Sequence, residues 1–484
     1  MMVLGLVAVC GAGAMGSGIA QVAAQAGHSV VVFDTSDAAL ARGRTGVETS
    51  LASLIDRGRL SFAAAEAVAG QIAWTSRIED IGPAGLVIEA IVEDAGLKAQ
   101  LFDRIEAVVA DTAILATNTS SLAVTVLAAA RAAPARFLGL HFFNPAPVMK
   151  LVEVISGTET EPGVVDEAMR LRSAWGKSAI RVRDVPGFIV NRVARAYYAE
   201  GFRALGEGVA RPEVLDALFR RAAGFRMGPL ELADLIGQDI NFAVARSVHD
   251  AYSGATRFTL QPAQRTLVEA GRLGRKSGRG VYDYDIGGAP TVDGSGESLT
   301  PGHIFIGAEV DPILAELVGH AGGVHGAAPS GCIEADGVLV AISDGRFAAT
   351  WAAQHGKPVV LLDWGARDAD ACGYAVSAPP ARAFARGLLA AIGRDAFELA
   401  DRPGLVVLRT LGQLANAAAD AVLDRVAEPV EIDQAMRFGA NYPLGPLAWA
   451  EAYGHARLIR TMENIARETG EAIYRPSEYF RRTP

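Results

Sequence analysis

The sequence predicts an α/β domain on a parallel sheet, an all-α domain, a reduced α/β segment and a second copy of the all-α domain. Three observations carry this. Short apolar runs alternate with longer helical stretches over the first 184 residues, the pattern of a parallel sheet with helices on both faces. Residues 185–284 lose that alternation and read as nearly all helix. A block beginning at Pro186 returns at Pro403.

In the first segment the strand-like runs are 4–10, 29–33, 86–90, 114–117 and 137–141. Asp184-Val185-Pro186-Gly187 then signals helix entry, with proline near the first turn. Residues 285–302, rich in Gly, Pro, Ser and Thr, are the expected linker. Beyond it, 337–342 and 358–363 read as two strands around a short helix, 384–400 as a further helix, and 401–484 as the second helical domain. The boundaries expected are therefore 1–184, 185–284, 285–302, 303–400 and 401–484.

The repeat holds one ungapped register. Pro186-Gly187-Phe188-Ile189-Val190-Asn191-Arg192 aligns with Pro403-Gly404-Leu405-Val406-Val407-Leu408-Arg409 at an offset of 217 (403 − 186). The same offset carries Asp216 onto Asp433, Gly228-Pro229-Leu230 onto Gly445-Pro446-Leu447 and Gly237 onto Gly454. In the copy the polar Asn191 becomes Leu408. With Asp363 taken as the counterpart of Asp34, the copy's α/β part has also shrunk. The second half reads as scaffold.

Composition narrows the function. The chain has 484 residues, half of them apolar and a fifth charged, enough for several ordinary cores. A net charge of −9 argues against a nucleic-acid partner, which would call for basic stripes. Cys10, Cys332 and Cys372 form neither a disulfide framework nor a zinc pattern, so no metal is expected and a cytoplasmic setting is. The apolar N-terminus lacks a basic leader and is broken by glycines, which favours a strand and turn over a signal peptide. No run long enough for a membrane span is found.

The chemistry begins where the first strand ends. Gly11-Ala12-Gly13-Ala14-Met15-Gly16 lies between that strand and a helix, and Asp34 closes the next strand. Such glycines make the tight turn, admit a pyrophosphate to the backbone and let helix and strand touch, while the acid accepts from ribose hydroxyls. This predicts a Rossmann-like dinucleotide-binding domain, with Asp34 favouring NAD over NADP. Asn118-Thr119-Ser120-Ser121 follows the strand 114–117 at the ligand-binding rim; alone it reads first as a helix cap. His141 ends the strand 137–141 at the same rim. Pro145 and Pro147 break the chain, and an extended run containing Glu153 follows, so a hairpin sets His141 opposite Glu153. A carboxylate that fixes the imidazole tautomer makes a general base for an alcohol. The bland alternative is a structural histidine beside an edge-strand acid.

These motifs, with Glu89-Ala90-Ile91-Val92-Glu93, His141-Phe142-Phe143-Asn144-Pro145 and Asp184-Val-Pro-Gly-Phe-Ile-Val-Asn-Arg192, resemble the L-3-hydroxyacyl-CoA dehydrogenases over residues 3–284. The long form is similar to the bacterial 3-hydroxybutyryl-CoA and 3-hydroxyadipyl-CoA dehydrogenases. The resemblance implies an acyl-CoA substrate, NAD as cofactor, His141 as base and Glu153 as its orienting partner. It implies that Ser120 and Asn191 bond the substrate oxygen. Glu93, Lys98, Asn118 and Ser120 would line the nicotinamide half with Lys276 nearby, and Ser50 and Arg57 would contact coenzyme A. The site would open between the first two domains. Single-copy relatives pair through their helical domains, so the 401–484 copy would replace part of a dimer contact, with further homo-oligomerisation left open. Two rivals stand beside this reading: a sugar-acid (gulonate-type) dehydrogenase, and a non-catalytic NAD-binding protein.

Overall fold

The structure is a computed structural model and describes residues 5–292, 294, 303–321, 324–325 and 328–482. Half of the expected linker, 293 and 295–302, lies outside the described residues. Two compact units emerge: one comprises residues up to 192 with 424–440, the other 193–423 with 441 onward.

The first unit is built on strands β1 (Leu6–Cys10), β2 (Ser29–Phe33), β3 (Ile72–Thr75), β4 (Ala84–Glu89), β5 (Ile114–Thr117), β6 (Phe137–Phe142), β7 (Leu151–Ser156) and β8 (Ser178–Arg183). They lie in the order β3-β2-β1-β4-β5-β6-β7-β8. The first six run parallel, β7 turns back against β6, and β8 follows β7. The apolar runs Val7–Cys10 and Val30–Phe33 are buried on both faces, as strands covered by helices on two sides must be. Helix α1 (Ala14–Gln25) lies close to α2 (Asp37–Asp56) because small residues face each other: a Cβ on Gly43 would sit 2.6 Å from Ser17 Oγ. Ser36 caps α2 by accepting from Ala39 N–H.

The second unit carries β9 (Ile304–Ile306), β10 (Val324–His325), β11 (Cys332–Ala335), β12 (Val338–Ile342), β13 (Val359–Leu362), β14 (Ala371–Val376) and β15 (Asp395–Glu398), ordered β10-β9-β11-β12-β13-β14-β15. Two expectations change here. Residues 384–400 are not one helix: the helix Ala381–Ala391 ends before β15, whose Asp-Ala-Phe-Glu buries only its two central residues and suits a short strand on the sheet edge. Asp363 is also not the counterpart of Asp34. Strand β12 is parallel to β13, β13 antiparallel to β14, and β14 parallel to β15, the same relation that links β5 to β8. Gly373 pairs with Phe397, nine residues before Val406 (406 − 397), as Glu153 pairs with Ile180, nine before Ile189 (189 − 180). Asp363 N–H donates to Gly373 O, so Asp363 stands where His141 stands and Gly373 where Glu153 does. The second sheet repeats β5–β8; at its other end β9 and β10, parallel and joined by the helix Pro312–Ala321, hold the places of β1 and β2 without the glycine string of residues 11–16.

The helical copies share backbone detail. Phe188 and Leu405 both hold positive φ (49° and 52°), as do Gly187 and Gly404 (78° and 73°). Each copy lends a helix to the other half's sheet. Pro429–Gly439 lies on β7 and β8, and Pro212–Arg221 lies on β14. The bonds are reciprocal at the offset of 217: Arg183 N–H donates to Val426 O (2.9 Å) and Ala400 N–H to Val209 O (2.8 Å). Arg192 pairs with Asp424, and Arg409 with Glu207.

Candidate active site

The glycine loop has the shape of an anion cradle. Gly11 adopts φ 113°, and a Cβ there would fall 2.6 Å from Ala90 O; one on Gly16 would fall 1.9 Å from Gly11 O. Side chains are excluded, so backbone meets backbone. No side chain caps the N-terminus of α1 at Gly13, which leaves its first N–H groups and the positive end of its dipole for a ligand anion. Asp34 closes the loop by accepting from Ala12 N–H and Ser36 N–H, both at 2.9 Å. This donor set and the room left by glycine fit a dinucleotide, with Asp34 at the ribose position. Met15 is half-buried against the core behind the loop.

Beyond β5, Asn118 Oδ1 accepts from Phe142 N–H (2.8 Å) and ties the rims of β5 and β6 together. Glu93 organises the Thr119–Ser121 turn: its Oε1 accepts from Thr119 Oγ1 (2.6 Å), Ser120 N–H (2.8 Å), Ser121 N–H (2.9 Å) and Ser121 Oγ (2.9 Å). Burial alone would raise the Glu93 carboxyl. The bonds from Thr119, Ser120 and Ser121, with the Lys98 charge, hold it below the usual carboxylate value. Lys98 is fully buried between Glu89 (2.6 Å) and Glu93 (3.3 Å). It therefore acts as a strut for the loop.

His141 and Glu153 lie directly opposite in the β6–β7 ladder, and His141 Nδ1 meets Glu153 Oε2 at 2.6 Å. The other carboxylate oxygen accepts from Ile189 N–H (3.0 Å) and Val190 N–H (3.1 Å). Glu153 is thus wholly buried yet bonded on both oxygens, which offsets the cost of enclosing a charge. With Nδ1 donating to the carboxylate, Nε2 is the nitrogen left to take a proton. Phe143 and Phe188 flank the ring, centroids 4.5 and 5.7 Å away. Asn191 follows Val190 directly, and its Nδ2 reaches Ser120 O at 3.5 Å. The four residues predicted to handle the substrate oxygen and its proton are all carried by the first unit.

Ser50 lines a 430 Å³ cavity in the first unit with Gly13, Gly43, Pro145 and Val148. Arg57 is exposed at the C-cap of α2 and is not among the lining residues. Arg42 is, and the sequence reading missed it. The signal was there: 39, 43, 46 and 50 recur at helical spacing, and Arg42 borders that face. Lys177 was also missed. Its half-buried ammonium donates to Ala146 O and Met149 O and so holds the turn between β6 and β7, with desolvation lowering its pKa to about 8. Lys276 belongs to the second unit, where it pairs with Asp239 at 2.6 Å. No group of residues able to hold a metal occurs among the described residues.

Residues 6–185 match the family of the 3-hydroxyacyl-CoA dehydrogenase NAD-binding domain, and 187–284 and 404–483 both match its C-terminal domain. Residues 340–403 match the 3-hydroxybutyryl-CoA dehydrogenase reduced Rossmann-fold domain. The chain is 42% identical to the 3-hydroxyadipyl-CoA dehydrogenase of Escherichia coli K12 over 98% of its own length and 96% of that protein. It is 42% identical to a probable 3-hydroxybutyryl-CoA dehydrogenase of Deinococcus radiodurans, over 57% of this chain and 99% of that one. The crystal structure of an E. coli K12 3-hydroxybutyryl-CoA dehydrogenase superposes with a TM-score of 0.91 at 41% identity, covering 99% of this chain and 98% of that one.

Proposed function

Because the chain belongs to the 3-hydroxyacyl-CoA dehydrogenase family, an NAD-dependent class of oxidoreductases, we propose that it reversibly oxidises a (3S)-3-hydroxyacyl-CoA to the 3-oxoacyl thioester. The acyl group is short or dicarboxylic, such as 3-hydroxybutyryl or 3-hydroxyadipyl, the substrates named for its relatives. The observation that carries the reading is the His141–Glu153 pair at the rim of a sheet whose glycine loop is intact.

The division of labour follows from the bonds. Glu153 fixes the imidazole from behind, so His141 Nε2 accepts the 3-hydroxyl proton as the carbonyl forms and returns it in the reverse direction. Ser120 and Asn191 hold the substrate oxygen as its charge changes. NAD, held by the Gly11–Gly16 loop and Asp34, supplies the acceptor for the hydrogen leaving C3. Glu93 and Lys98 keep the Ser120 turn in place, and Ser50 with Arg42 contacts the phosphates of the coenzyme A end.

The reciprocal bonds between the halves support reading the chain as a fused pseudo-dimer, in which the 401–484 copy replaces a second subunit's contact. No helix among the described residues is long and apolar enough to cross a membrane. The three free, buried cysteines suit the reducing cytoplasm. The test is a panel of 3-hydroxyacyl-CoA thioesters and the matching free hydroxy acids, followed by NADH absorbance. Turnover of thioesters alone is expected; turnover of free sugar acids, or of nothing, overturns the proposal.

A further inference from the structure

The second unit holds a cavity of about 790 Å³ at the carboxyl rim of its own sheet, where Ile342 ends β12 and Trp364 follows β13. This is the rim that in the first sheet carries Asn118 and His141. It falls within the size range of ligand sites. A sheet that had lost its chemistry could have let its rim collapse. Instead the lining has become more aromatic and more cationic. At the offset of 217, Leu232, Ile236 and Ile240 of the first copy become Trp449, Tyr453 and Arg457.

The new side chains form one cluster. Trp449 stacks on Tyr453 (centroids 5.1 Å, planes 13° apart) and stands edge-on to Trp364 (5.8 Å, 82°). Arg457 lies over Tyr453 at 4.4 Å and is oriented by Asp311 at 3.0 Å. The indole N–H of Trp449, itself 4% exposed, has no acceptor among the described residues. Arg367 is exposed at the cavity with no ion-pair partner among the described residues. An aromatic floor beside a free guanidinium receives a flat π-system carrying an anionic group. Asp363, in the place of His141, is turned onto the backbone N–H groups of 406–408, and the two carboxylates of the lining, Asp311 and Glu316, are paired with Arg457 and Arg394.

We propose that this cavity is a second, non-catalytic binding site for a ligand with a flat aromatic body and an anionic group. Two sources share that chemistry: the phosphoadenosine end of a coenzyme A molecule, and an aromatic carboxylic acid. The proposal is independent of the catalytic reading, since it concerns residues that take no part in turnover.

Calorimetric titration of the full chain with 3′-phosphoadenosine 5′-diphosphate and with 3-phenylpropionate, repeated on R367E and W449L, tests it. Leu is the first copy's own residue at that place, and Arg367 is exposed, so R367E decides even where W449L fails to fold. At least one probe is expected to bind saturably, with a component weakened tenfold or more by R367E and by W449L while 3-hydroxyacyl-CoA turnover is unchanged. The sensitive probe identifies the source. Saturable binding of neither probe, or binding untouched by R367E, overturns the proposal.

Discussion

The two sheets solve one structural problem with a carboxylate on different strands. In the first half, Glu153 on β7 accepts the N–H groups of Ile189 and Val190 where the helical domain begins, and its second oxygen is left for His141. In the second half the acid sits across the ladder. Asp363 accepts from Val406 (3.0 Å), Val407 (2.8 Å) and Leu408 (3.0 Å), and Gly373 stands where the glutamate was. A Cβ on Gly373 would lie 3.3 Å from that of Asp363 and 2.8 Å from Leu399 Cδ1, so the pair changed as a unit. The comparison separates two demands. Both halves place a carboxylate at the mouth of the Pro-Gly turn; the proposed chemistry adds the demand for a histidine in front of it. The positive φ shared by Phe188 and Leu405 belongs to the turn, since it persists where the histidine is absent.

The largest effect is expected from writing the second half's solution into the first. The double variant H141D/E153G should keep the fold, because Asp363 and Gly373 show that arrangement to be stable. Its kcat should fall by about 10²–10⁴-fold, the ordinary contribution of a general base. Thermal melting and NADH formation read the two outcomes separately. Activity within tenfold of the parent would mean that another residue takes the proton.

Much of this was legible in the sequence because the signals are local. The glycine loop is a contiguous string with one acid at a fixed distance, and the His141–Glu153 opposition follows from two prolines between two apolar runs. The helical repeat shows itself through a single ungapped offset. The second sheet was harder. Its strands are short, β14 carries a glycine, and β9 and β10 span only three and two residues, so periodicity had little to work on. Asp363 could not be matched to His141 from residue types, because the exchange changed both members of the pair. Only strand register and bond partners reveal it. The coenzyme contacts are the hardest to read: a helix face such as 39–50 tells where a residue points but not which arginine would meet a phosphate.

The next effect in size tests whether the carboxylate of the second half is structural. D363A should destabilise the chain by about 2 kcal/mol, since buried N–H groups lose their acceptor, without changing the KM for the thioester. Denaturant unfolding near pH 5 together with steady-state kinetics measures both. A pH signature accompanies it. Burial, opposed by four backbone N–H bonds, pushes the Asp363 pKa up to about 6 from 3.8. The folded chain therefore holds the proton more tightly than the unfolded one, and stability is lost as pH rises from about 4 to about 6, by at most about 3 kcal/mol. In D363N the slope of stability over that interval should shrink; an unchanged slope would place the titration elsewhere.

The smallest effects probe the reciprocal ion pairs that relate the halves. Arg192 and Arg409 are both buried, but their partners differ: half of the Asp424 side chain faces solvent, against about a quarter of Glu207. Arg409 also meets Glu200 at 2.9 Å, so it keeps a carboxylate when Glu207 is removed. D424A should therefore cost about 1 kcal/mol or less, and E207A a similar or smaller amount. The two differ in what lies next to them. Asp424 precedes the helix Pro429–Gly439 that lies on β7, the strand of Glu153, whereas Glu207 precedes the helix Pro212–Arg221 on β14. If the exchanged helices steady the sheets they cover, D424A should lower kcat modestly while E207A leaves it untouched, at equal small losses of stability. Equal kinetics in the two variants would confine the exchange to holding the fused halves together and leave the alignment of His141 and Glu153 to the strands themselves.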